Sequence, residues 1–238
     1  MAAEWDEVDL MDKDEHIEQA SRAMKAMSHP LRLKILCVLG DKEVSVQDIV
    51  DHVGTSQSNI SKEKTKQQKT IVIQPYSDLD KSQADFIISE VKKVCPKVVV
   101  NKPIPLPSSA YYIANKRFRA DSIIAIQKRI CQNKYTLLGL TSKDISTTKG
   151  NAKDFGIMGL GYCPGYSCVV SGFRIKGSNR MEKFRKVTLH ELAHTEGLPH
   201  CPNLHCYMRD AKGKDHLNEE TDFCEGCKKK LLEKGWKL

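Results

Sequence analysis

Residues 190–208 read His-Glu-Leu-Ala-His-Thr-Glu-Gly-Leu-Pro-His-Cys-Pro-Asn-Leu-His-Cys-Tyr-Met. Residues four apart share one face of a helix, so His190 and His194 can point at one metal ion. Glu191 follows the first histidine and sets a carboxylate beside that ion without making it a ligand. Gly197 allows the chain to leave the helix through a left-handed cap. A sharp turn there brings His200 back as a third ligand. Three imidazoles leave the fourth tetrahedral position for water, the arrangement of a catalytic rather than a structural zinc. Met208 is a candidate for an apolar turn beneath the metal. A chance His-Glu-x-x-His on a charged helix would explain neither the glycine nor the third histidine at these offsets.

Cysteines extend the window. Cys201 directly follows His200, Cys206 comes five residues later, and Cys224 and Cys227 lie beyond a long loop. Cys-x4-Cys followed by Cys-x2-Cys suits a closed four-thiolate zinc site, because thiolates are soft donors and zinc takes four of them tetrahedrally. Buried free thiols or two disulfides are the alternatives. Zinc is favoured by the close pairing and by the intracellular character of the chain. His205 can replace a thiolate in principle but reads as a loop residue.

The long motif, with its glycine and third histidine, is that of the metzincins. With Cys201, Cys206, Met208 and the Cys224-x-x-Cys227 pair added, residues 68–238 resemble the archaemetzincins. That resemblance implies one compact α/β domain, a mixed sheet with an active-site helix, carrying a catalytic and a structural zinc ion. It also implies a peptidase or aminopeptidase-like role. In metzincins the edge strand above the cleft binds substrate by strand addition, and by resemblance Gly156–Gly161 is the candidate edge. An unpaired strand offers main-chain donors and acceptors to an extended peptide.

The chain has 238 residues, of which 40% are hydrophobic, enough for a packed core. No apolar run approaches a membrane span, so no membrane partner is expected. The N-terminus, Met-Ala-Ala-Glu-Trp-Asp-Glu-Val-Asp, is acidic and unlike a secretory signal. Together with nine cysteines it leads to the expectation of a cytoplasmic protein with reduced or metal-bound thiols. The net charge of +8 is unevenly spread: residues 1–63 hold 7 Lys/Arg against 13 Asp/Glu, and the remainder 31 against 17. This change of sign suggests two pieces of different origin. The lysines of the basic part are scattered, which fits a solvated surface better than a nucleic-acid groove.

The acidic piece has its own logic. His16–Met27 and Leu31–Leu39 read as helices separated at Pro30. A short helix over Val46–Val53 ends at Gly54, and Ser56-Gln57-Ser58-Asn59-Ile60-Ser61 opens a polar-faced helix. This is the order of a helix-turn-helix. Residues 26–36, Ala-Met-Ser-His-Pro-Leu-Arg-Leu-Lys-Ile-Leu, and 56–61 resemble the ArsR-type winged-helix repressors over about residues 14–62. The wing, the closing helix and the metal-binding cysteine pair of some relatives are missing. The expected organisation is therefore a truncated helix-turn-helix over residues 1–62, a basic linker over 63–69 and a zinc metallopeptidase-like domain over 70–238.

Within the last of these, Ile71–Ile73, Val98–Val100, Tyr135–Leu140, Gly156–Gly161 and Cys168–Ile175 read as strands. Lys81–Cys95 and a segment beginning near Asp121 or Ser122 read as helices. Cys163 and Cys168 flank a turn and read as free thiols. Strands alternating with helices predict an α/β sheet.

The expected reaction is zinc-dependent hydrolysis of a peptide or protein substrate. His190, His194 and His200 hold one zinc, Cys201, Cys206, Cys224 and Cys227 hold a second, and Glu191 is the general base. One rival is a DNA-binding regulator of ArsR type with a metal-binding C-terminal domain. The missing wing and the acidic charge of residues 1–63 oppose phosphate binding by such a protein. Another is an inactive zinc protein that uses the fold as a binding module.

Overall fold

A computed structural model describes residues 69–238 of the chain. The helix-turn-helix expected over residues 1–62, and the expected linker as far as residue 68, lie outside the described residues. Among the described residues nine strands and four α-helices follow one another: β1 (Ile71–Pro75), α1 (Lys81–Val94), β2 (Val98–Val100), β3 (Tyr111–Tyr112), β4 (Arg117–Arg119), α2 (Ala120–Cys131), β5 (Thr136–Thr141), β6 (Ile145–Lys149), β7 (Ala152–Ile157), β8 (Gly159–Gly161), β9 (Ser167–Ser171), α3 (Arg180–Thr195) and α4 (Glu225–Glu233). They form the expected mixed α/β architecture around two sheets.

The larger sheet has the order β2-β1-β5-β9-β8. β2, β1, β5 and β9 run parallel, and β8 closes one edge antiparallel to β9. Every residue of β1, β5 and β9 is buried, as the centre of a parallel sheet covered on both faces requires. Side chains alternate between the faces along each strand. Ile71, Ile73, Leu138, Leu140, Cys168 and Val170 join one core with Ile87 and Val91 of α1, Leu189 and Leu192 of α3, and Leu231 of α4. Val169 instead joins Ile123 and Ile124 of α2 in a second core. Each fully buried Leu or Ile contributes roughly 1.5–3 kcal/mol of apolar transfer energy. α1 is capped by Asp80, whose carboxylate accepts from the Ser82 amide at 2.8 Å.

The smaller sheet, in the order β3-β4-β6-β7, is not expected as a sheet, and only Gly156 and Ile157 of it fall in an expected strand. Its strands are short and rich in Thr, Lys and Arg, so they show neither an apolar run nor clean alternation. Charge pairs at its surface tie it down: Arg174 grips Asp144 at 2.7 and 2.9 Å, and Arg117 and Arg119 approach Asp154.

Two expected strands differ in detail. Gly156–Gly161 is not one strand, because the chain switches sheets at Met158. Gly156 and Ile157 end β7 in the small sheet, while Gly159–Gly161 forms the edge β8 of the large one. The strand expected over Cys168–Ile175 spans Ser167–Ser171, and Ile175 packs into the core beyond it. α2 begins at Ala120, just ahead of the expected start. No helix among the described residues is long and apolar enough to cross a membrane.

Candidate active site

Helix α3 packs against β8 and β9 of the large sheet and against α1, and almost every residue from Lys183 to Thr195 is buried. Its last two turns carry His190, Glu191 and His194. The helix ends in a Schellman motif: the Gly197 amide donates to the His194 carbonyl at 2.8 Å, and the Leu198 amide to the Ala193 carbonyl at 3.2 Å. Gly197 takes φ +93°, the left-handed value that its place in the sequence predicts. The reversed chain then carries His200 back to the helix face. Ring centroids lie 4.6 Å apart for His190 and His194, 4.9 Å for His194 and His200, and 5.4 Å for His190 and His200. One ligand atom from each of the three falls within 4.8 Å of the others.

Main-chain carbonyls orient two of the rings. His190 Nδ1 pairs with the Tyr207 carbonyl at 2.5 Å and His194 Nδ1 with the Leu198 carbonyl at 2.7 Å. A ring that donates through Nδ1 keeps the Nε2 lone pair for a metal ion. Burial, together with the neighbouring imidazoles, pushes His190 down to about 3, and burial also lowers His194. Both rings are therefore neutral at pH 7, the state a metal requires. The donor set, three convergent imidazoles, fits zinc.

Glu191 is buried on the next face of the helix, against the edge strand β8. A Cβ placed on Gly159 would meet the Glu191 Cγ at 2.6 Å and Oε1 at 2.7 Å, and one on Gly161 would meet the Glu191 carbonyl at 2.6 Å. Only glycines let the strand approach so closely. Burial pushes the Glu191 carboxyl up to about 8, opposed by a hydrogen bond from the Gly161 backbone. Met208 is fully buried, and its carbonyl accepts from the Cys201 amide at 2.7 Å.

The four expected cysteines also converge. One sulfur from each of Cys201, Cys206, Cys224 and Cys227 lies within 4.8 Å of the others. The Cys201 and Cys224 sulfurs are 3.7 Å apart. A disulfide needs about 2.05 Å. A tetrahedron of thiolates at about 2.3 Å from zinc has edges of roughly 3.8 Å. Backbone amides of Met208 and Cys224 point at the Cys206 sulfur at 3.4 and 3.3 Å. The donor set thus fits zinc rather than a disulfide pair. His205 stands outside it, with Nδ1 on the Glu219 carbonyl at 2.9 Å. Cys163 and Cys168 are free thiols, the first exposed and the second buried.

A cavity of about 700 Å³ opens over the histidines. Strands β7 and β8, Val187 of α3 and residues 209–215 with Leu217 and Glu220 line it. Several of these contributions could not be read from residue types. The carbonyls of Tyr207 and Leu198 act through the backbone. The Gly159-Leu160-Gly161 triplet was the available signal for a strand pressed against another element.

Comparison with known proteins agrees with this geometry. The profile of Peptidase family M54 matches residues 87–233, and that of the bacterial regulatory protein, arsR family, matches residues 29–62. An archaemetzincin of Halobacterium salinarum is 30% identical over 149 residues, covering 57% of this chain and 83% of the relative. One from Nanoarchaeum equitans is 27% identical over 155 residues, covering 64% and 85%. The crystal structure of an archaemetzincin from Archaeoglobus fulgidus superposes with a TM-score of 0.59 at 25% identity, covering 68% of this chain and 99% of that one. One from Methanopyrus kandleri gives 0.59 at 26% identity, covering 70% and 95%. The chain belongs to Peptidase family M54 and is a zinc metallopeptidase related to the archaemetzincins.

Proposed function

We propose that the chain hydrolyses peptide bonds of peptides or proteins at the site formed by His190, His194, His200 and Glu191. A second, structural zinc is held by Cys201, Cys206, Cys224 and Cys227. The observation that carries the reading is Glu191, pressed against the sheet edge beside three convergent imidazoles. Zinc bound there supplies Lewis acidity, lowering the pKa of coordinated water and polarising a carbonyl. The chain's own residues do the rest. Strand β8 offers its free edge to an extended peptide, which lays the scissile bond along α3. Glu191 takes the proton of the attacking water and delivers it to the leaving amine. The Schellman turn holds His194 and His200 together, and the Tyr207 carbonyl fixes the His190 ring. The four thiolates clamp the loop after His200 to α4, so the catalytic loop is stiffened within a residue of its last ligand.

The test is a peptide-library digest by the zinc-loaded full chain, with and without chelator. Zinc-dependent cleavage supports the proposal, and absence of cleavage by fully metallated protein refutes it. Release of single N-terminal residues would identify the aminopeptidase mode, and internal cuts the endopeptidase mode.

The match of residues 29–62 to the arsR-family regulators favours a second partner, duplex DNA, for that segment. The excess of acidic residues over 1–63 opposes it. A salt-dependent mobility shift with duplex DNA would support the reading, and no shift at low salt would overturn it.

A further inference from the structure

Glu220 has no part in the chemistry above, yet it lines the same cavity as His190, Glu191 and His194. Only 5% of its surface is exposed. Among the described residues no donor hydrogen-bonds to its carboxyl group, and no cation pairs with it. The charges that face it are all engaged elsewhere. Lys186 Nζ donates to the Leu217 carbonyl at 2.8 Å and to the main-chain carbonyl of Glu220. Arg209 is held by the Glu219 carboxylate at 2.6 Å and the Leu204 carbonyl at 3.1 Å. Asp215 is paired with Lys183 at 2.8 Å.

A carboxylate on a largely buried side chain without a partner is costly, and its proton affinity shows it. Burial, reinforced by Asp215 and Glu219 against the attraction of Lys186 and Arg209, pushes the Glu220 carboxyl up to about 7. A fold that needed only packing here would be better served by an amide or an apolar side chain. The setting matches a ligand with an apolar stem and a cationic end. Val187 and Leu217, both buried, line the same cavity. Val187 precedes His190 by three residues on α3, a rise of about 5 Å. The apolar wall is therefore within one side chain's reach of the histidines. A lysine or arginine lays its methylenes on such a wall and carries its charge to the end.

We propose that Glu220 is a specificity-determining residue of this cleft, selecting peptides with a lysine or arginine side chain next to the cleaved bond. The inference rests on the peptidase reading above. A largely buried carboxylate that opens only to the cleft and gains its partner from the substrate discriminates through charge.

The experiment uses the zinc-loaded full chain and two matched peptide sets. One set carries lysine or arginine, and the other carries norleucine or citrulline in their places. The readout is the ratio of kcat/KM for cationic over neutral peptides at each position flanking the cut. The wild-type ratio is expected to be roughly tenfold to a hundredfold at one position, the strength of one charged hydrogen bond. Glu220→Gln should bring the ratio to about one, and Glu220→Asp should restore part of it. A wild-type ratio near one overturns the inference while leaving the peptidase reading intact, and it needs no variant to measure. A ratio unchanged in Glu220→Gln overturns it equally. Cleavage of neither set by metallated protein refutes the peptidase reading and this inference with it.

Discussion

Gly159 touches no expected metal ligand, yet its replacement by alanine should disable the enzyme. The added Cβ would sit 2.6 Å from the Glu191 Cγ, 2.7 Å from Oε1 and 2.9 Å from Cδ. Ordinary carbon contacts lie near 3.5–4.0 Å. The carboxyl group must therefore retreat by about 1 Å. Its end is flexible, so the fold absorbs the change at a cost of about 1–3 kcal/mol, the usual range for a core overpacked by one methyl. Catalysis is less forgiving, since a displacement of about 1 Å at the reacting group costs on the order of a hundredfold. Stopped-time assays on a peptide cleaved by the wild type, at saturating and limiting substrate, should show kcat reduced about a hundredfold in Gly159→Ala. Bound zinc, measured by mass spectrometry of the metal, should be unchanged. Wild-type kcat in this variant would refute the placement of Glu191 beneath strand β8.

Gly197→Ala forces a Cβ into the left-handed region at φ +93°, where only Pro164 is near, at 3.6 Å. The strain should lower stability by about 1–2 kcal/mol, read in thermal unfolding, and should weaken zinc retention at His200. Cys227→Ser removes one thiolate of the closed site, so metal content should fall by one ion per chain and the chelator-sensitive component of thermal stability should disappear. Glu220 gives a pH signature. Its carboxyl is raised to about 7 in the fold, so the folded state holds a proton that the unfolded chain has already lost. Wild-type stability should fall as pH rises from the ordinary carboxylate range through 7, then level off. Glu220→Gln lacks that loss, so its melting temperature should exceed that of the wild type at pH 8 by a margin that vanishes near pH 4. An equal margin at both pH values would count against the buried, unpaired carboxylate.

How far the sequence reveals the molecule depends on where its physics is local. The helix α3 is legible because metal coordination imposes the four-residue spacing of His190 and His194, and Gly197 marks the turn that returns His200. β1, β5 and β9 are legible because burial on both faces demands unbroken apolar runs such as Ile71-Val72-Ile73. The small sheet is not, because β4 and β6 are short, polar strands fixed by Arg117, Arg119 and Arg174 against acidic partners distant in sequence. The residues 156–161 look like one strand because nothing in the side chains announces that Met158 passes the chain from one sheet to the other. Among the site residues, the seven metal-ligand candidates and Glu191 follow from spacing. The Tyr207 and Leu198 carbonyls do not, since a backbone acceptor carries no residue signature. Glu220 is hidden for another reason: within Asn-Glu-Glu-Thr at 218–221 it reads as a solvated loop acid, and only tertiary packing buries it.

The proposed role of Glu191 is proton transfer in hydrolysis at a three-histidine zinc site. Its most direct test is the turnover of zinc-loaded Glu191→Gln beside the wild type, on the same peptide and with bound metal measured in the same samples. Glutamine keeps the size of the side chain between β8 and α3 but cannot accept the proton. Two zinc ions per chain are expected in both proteins, with a loss of at least about a hundredfold in kcat for the variant. Full turnover by Glu191→Gln at equal metal content would contradict it.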